Sequence, residues 1–376
     1  VTSTEKNIHV ISFDVPYPPD YGGVIDVFYK IKALHALGVK VHLHCFEYGR
    51  KNSDELAAIC ASVNYYSRRT SRSNLFNTYP YIVLSRDSEE LKKNLLNDNY
   101  PILMEGLHST RLLGDPDFSK RRMFVRTHNV EHDYYDNLAK VEGNIFKRYY
   151  FYNEAGKLLK YEPVLKNATG ILAISPNDTT YFSSKYKNVN YITAFHPHEK
   201  VSCLPGKGDF AFYHGNLAVG ENNEAALYLV NKVFNDIDQQ LVIAGSKPSD
   251  ELKKAVRASS NISLHGDMTH TQIQEYISEA QCNILPTFQS TGIKLKLLSA
   301  LFVGRFCIVN KPMVENTGLE PLCIMANSAE VMKEKIKSVF EKEFTERERK
   351  KREEILLKDF SNEENAKRLM KVLFPS

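Results

Sequence analysis

Seven consecutive residues, Arg126-Thr127-His128-Asn129-Val130-Glu131-His132, bring two imidazoles, a carboxylate and an amide together directly after the short apolar run Met123 to Val125. Strand ends in open parallel sheets are where loops and helix N-termini turn backbone N–H groups toward a ligand. His128 is therefore read as a hydrogen-bonding or acid/base residue rather than a structural one. Asn129 and Glu131 are candidate ligand contacts beside it. Zinc is a rival reading, but two histidines and a glutamate without matching ligands elsewhere make a poor site. A second polar strand end, Glu105-Gly106-Leu107-His108, is expected to line the same cleft through Glu105 and His108.

Other segments suit phosphate. The loop after the first strand ends in Gly22-Gly23 and opens a helix, so two readings stand: a tight turn, or a backbone able to approach an anion. The spelling is not GxGxxG, which disfavours a nicotinamide cofactor. Further along, His214-Gly215-Asn216 closes a strand, and Thr291-Gly292-Ile293-Lys294-Leu295-Lys296 joins a strand to a helix. Small residues at a helix start followed by lysines suit a diphosphate, the amides hydrogen-bonding it and an ammonium neutralising it. Lys294 and Lys296 differ by two positions, so one is expected to face the ligand and the other solvent. Lys247, after Ala244-Gly245, is a further candidate cation. No Asp-x-Asp pair falls at a strand end of this half, so no metal ligand is assigned and no metal is required.

The elements that must position these residues alternate, strand and helix, along the whole chain of 376 residues, as in parallel sheets with crossover helices. Residues 1–195 form one doubly wound Rossmann-like domain and residues 196–361 a second, with a linker rich in Pro, Gly and His near the junction. The last helix, within 362–375, needs a packing partner. Residues 145–166 read as one long helix, and the charged run 341–358 as a solvated helix laced with i,i+4 pairs. The aromatic, basic stretch Phe146 to Phe151 is read as a buried helix face, with contact to a bilayer as the alternative.

A formal net charge of only +4 argues against a dedicated nucleic-acid binder, which would show a basic face or stripe. The six cysteines show no CxxC pair and read as reduced thiols, so a reducing, cytoplasmic setting is expected. No apolar run reaches the length of a membrane span, and the start of the chain does not read as a signal peptide.

Taken together, PYPPDYGG at Pro16–Gly23, RTHNVEH at Arg126–His132, FYHGNLAVGENNEAALYLV at Phe212–Val230 and TGIKLKLLSAL at Thr291–Leu301 resemble the GT-B glycosyltransferases, specifically the retaining family numbered four. That resemblance implies two Rossmann-like domains facing a central cleft, acceptor on the first, nucleotide sugar on the second, and the last helix returning to the first. It implies that His128 addresses the donor sugar, that Gly23 approaches its phosphates, and that Gly292, Ile293 and Lys294 meet the distal phosphate or the sugar. Two family glutamates are replaced by Thr291 and Ser299, and an Arg and Lys pair by Asn216 and Asn222, leaving Lys294, Lys296 and Lys247 as substitutes. The implied activity is metal-independent, retaining transfer of a hexose from a UDP- or GDP-sugar to a glycan or lipid-linked acceptor, with a peripheral visit to the inner membrane face. A sugar-nucleotide epimerase or hydrolase, and a catalytically silent scaffold, are the alternatives.

Overall fold

In a computed structural model the chain is described over residues 5–288 and 295–375. Thirteen strands fall among them, and every ladder is parallel. The first sheet holds β1 (Asn7–Ser12), β2 (Lys40–Glu47), β3 (Ser62–Ser67), β4 (Ile102–Glu105), β5 (Met123–Thr127), β6 (Gly170–Ala173) and β7 (Val189–Tyr191), in the order β3-β2-β1-β4-β5-β6-β7. The second holds β8 (Phe210–His214), β9 (Gln240–Ala244), β10 (Ile262–His265), β11 (Cys282–Leu285), β12 (Phe306–Val309) and β13 (Ile324–Met325), ordered β10-β9-β8-β11-β12-β13. Central strands such as β4, β6, β11 and β12 are buried at every position, as continuous apolar runs covered on both faces require.

Strand order reverses beside β1 in one sheet and beside β8 in the other. Those reversals open crevices at the carboxyl ends of β1 and β4, and of β8 and β11. Of the polar strand ends singled out above, Gly22-Gly23 and Glu105 stand at the first of these and His214-Gly215-Asn216 at the second, while His128 follows the neighbouring β5. Their cores are separate: Val24, Val27, Ile31 and Leu34 of the helix Gly22–Ala36 pack with β1 and β2, while Leu229, Leu298, Leu301 and Phe302 pack with β8, β11 and β12. Each core buries dozens of apolar side chains at roughly 1.5–3 kcal/mol apiece, enough to hold an independent sheet.

The chain divides into two compact units, Val1–Pro197 with Asn362–Ser376, and His198–Ser361. The helix Asn362–Leu373 belongs to the first, where Ala366, Leu369 and Leu373 join the core of the helix Gly22–Ala36. The stretch read as a linker is largely packed: Phe195 and His196 are buried in the first unit and Val201 and Cys203 in the second.

Three expectations are corrected. The helix expected over 145–166 is Ile145–Tyr161 followed by a 3-10 turn, Glu162–Asn167, because Pro163 has no N–H to continue the ladder. The charged run contains a helix only from Glu346 to Asp359, started by a capping box between Thr345 and Glu348. Its Arg352 is buried and donates to the carbonyls of Leu301, Gly304 and Arg305, so that face is structural. Finally, Phe146 is 83% and Tyr149 71% exposed, and only Tyr150 and Phe151 of that stretch turn inward. All six cysteines are free thiols.

Candidate active site

Under the crevice beside β1 lies a buried charge network. Asp26 and Lys30 sit one turn apart on the helix Gly22–Ala36, both fully buried, with Lys30 Nζ 2.9 Å from Asp26 Oδ2. The same ammonium lies 2.9 Å from Glu105 Oε2 and 2.8 Å from Oε1, at the end of β4. Arg126, at the end of β5, donates Nη2 to Asp26 Oδ1 at 2.9 Å and Nε to Oδ2 at 3.1 Å. It also donates Nη2 to the Thr193 carbonyl, and the Phe195 N–H completes the Asp26 shell at 2.8 Å. Burial alone would push the Asp26 carboxyl up, but Arg126, then Lys30, hold it far below the usual carboxylate range.

His128 stands at the rim of this network. Its side chain is 11% exposed, and Nε2 lies 3.1 Å from Glu105 Oε2. A carboxylate held in place by a lysine thus orients a partly exposed imidazole, the arrangement that a positioned hydrogen-bonding or acid/base group needs. Asp26, Glu105 and His128 have the donor set of a cation site. Lys30 Nζ, however, already stands within 2.9 Å of both carboxylates, where a metal ion would have to be.

Around His128 the strand ends converge. The Phe13 ring meets His128 edge-on at 5.5 Å and His108 at 5.3 Å. A Cβ on Gly23 would come within 2.5 Å of the Phe13 ring, so glycine lets the start of the helix Gly22–Ala36 pass that ring. Tyr21, the residue before the helix, gives its hydroxyl to Asp14 at 2.8 Å and does not cap, leaving the amides of Gly22 and Gly23 without a side-chain cap. Asn129 is half-buried beside His128. Glu131 is buried at the first turn of the helix Glu131–Val141, with one carboxylate oxygen 3.9 Å from His108 Nδ1. Burial, then Asp178, pushes the Glu131 carboxyl up to about 8. Burial, then Arg86, holds the His108 imidazole well below its ordinary value.

In the second unit, the turn His214-Gly215-Asn216 follows β8. Asn216 Oδ1 accepts from the Ala218 N–H at 3.1 Å, and Asn222 Nδ2 donates to the Asn216 carbonyl at 3.0 Å. A Cβ on Gly245 would fall 2.0 Å from the Gly215 carbonyl oxygen, so these turns require glycine to lie side by side. Lys296, in the first turn of the helix Leu295–Val303, donates to Asn222 Oδ1 at 3.0 Å and sits 5.3 Å above the Tyr213 ring. The His214 imidazole is held down to about 3 by burial, then by Lys296. Lys296, His214, Gly215 and the asparagines therefore share one strand-end turn.

Lys247 is exposed with φ +53, and Ser299 Oγ lies 2.9 Å from His198 Nε2. Thr291, Gly292, Ile293 and Lys294 lie outside the described residues. Sequence reasoning passed over Asp26, Lys30 and Arg126. The available signal was an oppositely charged i,i+4 pair flanking the apolar stripe Val27, Ile31, Leu34 on a helix that has to cover a sheet.

Residues 209–342, most of the second unit, match the family model described as glycosyl transferases group 1. A Klebsiella pneumoniae protein described as an uncharacterized 44.6 kDa protein in the cps region is 27% identical over 331 residues, covering 83% of this chain and 84% of that one. The crystal structure of TarM, a protein of S. aureus, is similar with a TM-score of 0.69 at 11% identity, over 99% of each chain. That of Anabaena Alr3699/HepE, solved with UDP and glucose, gives 0.67 at 8% identity, over 98% of this chain and 99% of the other. The fold is GT-B. With a group 1 domain in its second unit, the chain is a glycosyltransferase.

Proposed function

We propose that the chain transfers a hexose, with retention at the anomeric carbon and without a metal, from a UDP- or GDP-sugar to a glycan or lipid-linked acceptor. The observation that carries this reading is His128, braced by Glu105 and Lys30 at the switch point of one sheet, in a chain whose other switch point gathers Gly215, Asn216 and Lys296. The bond from the anomeric carbon to the diphosphate breaks, and the diphosphate departs with the electron pair. The acceptor oxygen bonds to the same face, and its proton leaves with the diphosphate. Lys296 and the glycine-rich turn beside it neutralise the departing charge. His128 holds the sugar and stabilises positive character at its anomeric carbon. Lys30 supports the metal-free reading, since it supplies the buried positive charge beside Glu105.

Polysaccharide assembly is the setting that the cps-region relative suggests. A visit to an anionic membrane surface has its own support. Ile145, Phe146, Tyr149 and Tyr152 form an exposed stripe at i, i+4 and i+7 spacing, with Lys147 and Arg148 alongside and no exposed acid between 145 and 160. No helix among the described residues is long and apolar enough to cross a membrane.

Release of free nucleoside diphosphate from UDP- and GDP-linked hexoses, with and without a pool of lipid-linked and oligosaccharide acceptors, tests the proposal. Acceptor-dependent release supports it. Release independent of acceptor marks a hydrolase, and no release with any donor marks a silent scaffold; either outcome sinks the transferase reading.

A further inference from the structure

Two guanidiniums of the first unit converge on one hydroxyl with no carboxylate between them. Arg68, the residue after β3, donates Nη2 to Ser85 Oγ at 3.0 Å, and Arg86 Nη1 lies 3.4 Å from the same oxygen. Ser85 is fully buried and Arg86 is 6% exposed. Arg86 is anchored by donating Nε to the Phe13 carbonyl at 2.8 Å and Nη1 to the Ile82 carbonyl at 2.7 Å. Among the described residues its Nη2 makes no hydrogen bond, and neither do Nε and Nη1 of Arg68; neither arginine forms an ion pair.

Three other sheltered arginines of this unit are compensated by carboxylates: Arg126 pairs with Asp26, Arg121 with Asp98 and Arg50 with Asp14 and Asp20. Asp14, which acts on Arg86 through space, is hydrogen-bonded to the Val15 N–H and the Tyr21 hydroxyl. Burial, then Arg68, brings the Arg86 guanidinium down to about 9. Two cations drawn together out of bulk water are stabilised by an anion that lies between them.

The rest of the niche offers donors or faces that suit cations. The Glu131 carboxyl is pushed up to about 8 by burial, then Asp178, the His108 imidazole is held well below its ordinary value by burial, then Arg86, and the Tyr48 ring lies 4.3 Å from the Arg68 guanidinium. Phe13, whose carbonyl anchors Arg86, sets its ring against His128, so the niche adjoins the residue that the proposed function places at the reacting sugar.

We infer that the acceptor of this enzyme is anionic, and that its carboxylate or phosphate is held by Arg68 and Arg86. This rests on the first unit being the acceptor-binding one. The test titrates the whole protein with glucuronate, glucose 6-phosphate and glucose at matched ionic strength, and with UDP and GDP separately. At least one anionic sugar is expected to bind tenfold or more tightly than glucose. Arg68→Gln, a change at a half-exposed position, should abolish that preference and leave nucleotide affinity unaltered. Preference for glucuronate identifies a uronic acid acceptor, and preference for glucose 6-phosphate a phosphorylated one. Equal binding of all three sugars, no binding of any, or an unchanged preference in the Arg68→Gln protein overturns the inference. Absence of nucleotide binding in the unaltered protein would instead strike the glycosyl-transfer reading, so the two failures are distinguishable.

Discussion

At the scale of single residues, His128 matters through what lies beneath it. Asp26 is shared by Lys30, Arg126 and the Phe195 amide, so its loss leaves two buried cations with one carboxylate, Glu105. Removing one partner of a buried ion pair costs about 3–5 kcal/mol, while a surface change costs about 0.5 or less. Asp26→Asn should therefore lower the unfolding free energy by about 3–5 kcal/mol in urea titrations, whereas Asp238→Asn at an exposed position should barely move it. Equal effects would mean the network is not structural. His128→Ala, at the rim, is expected to keep the fold and reduce kcat/KM by roughly 10²- to 10⁴-fold in steady-state assays. His128 and Glu105 were legible because a polar residue directly after an apolar run has few reasons to be there beyond ligand or network. Asp26 and Lys30 were not, since the same i,i+4 spelling serves for a solvated surface pair, and only the sheet behind the helix separates the two cases.

Among the elements, the helix Ile145–Tyr161 departs most from what its sequence suggested. Its buried side is Glu154, Ala155 and Leu158, with Glu154 accepting from the Tyr81 amide at 2.7 Å and paired with Lys157 at 2.8 Å. A glutamate on the inner face and phenylalanine on the outer one inverts the usual pattern, which is why periodicity misassigned it. The exposed stripe predicts cosedimentation with vesicles containing anionic lipid, weakened by salt. The double change Phe146→Ser with Tyr149→Ser should reduce bound protein at least tenfold without lowering the melting temperature. Undiminished binding, or none to begin with, would remove the membrane from the account. The break at Glu162-Pro163 and the start at Thr345 were both written in the sequence, in a proline and in a Thr-x-x-Glu box.

For the whole molecule, alternation of strand and helix made both sheets readable, down to most of the strands. Those missed, β3, β7 and β13, are half-buried outer strands whose mixed polarity gives no continuous apolar run. Each unit also carries a histidine kept neutral by burial. His44, with His9 Nδ1 at 2.9 Å and the Tyr66 hydroxyl at 2.8 Å, is held down to about 3 by burial, then by His9 and His42, with Asp98 opposing; His214 is held to the same level in the second unit. The unfolded chain takes up these protons near 6.5 and the folded chain does not, so the stabilisation is complete above 6.5 and is lost as pH falls toward 3. Between pH 7.5 and 5.0 each histidine should cost roughly 2 kcal/mol of stability, read as a falling urea midpoint. His44→Gln should flatten that fall for the first unit, and an unchanged slope would contradict the assignment. The central claim is that the second unit grips a nucleoside diphosphate where Lys296 meets the turn after β8. Isothermal titration of the whole protein with UDP and with GDP tests it directly. Saturable binding of one of them, weakened tenfold or more by Lys296→Ala, is the predicted result; no heat from either nucleotide, or an affinity indifferent to Lys296, would contradict it.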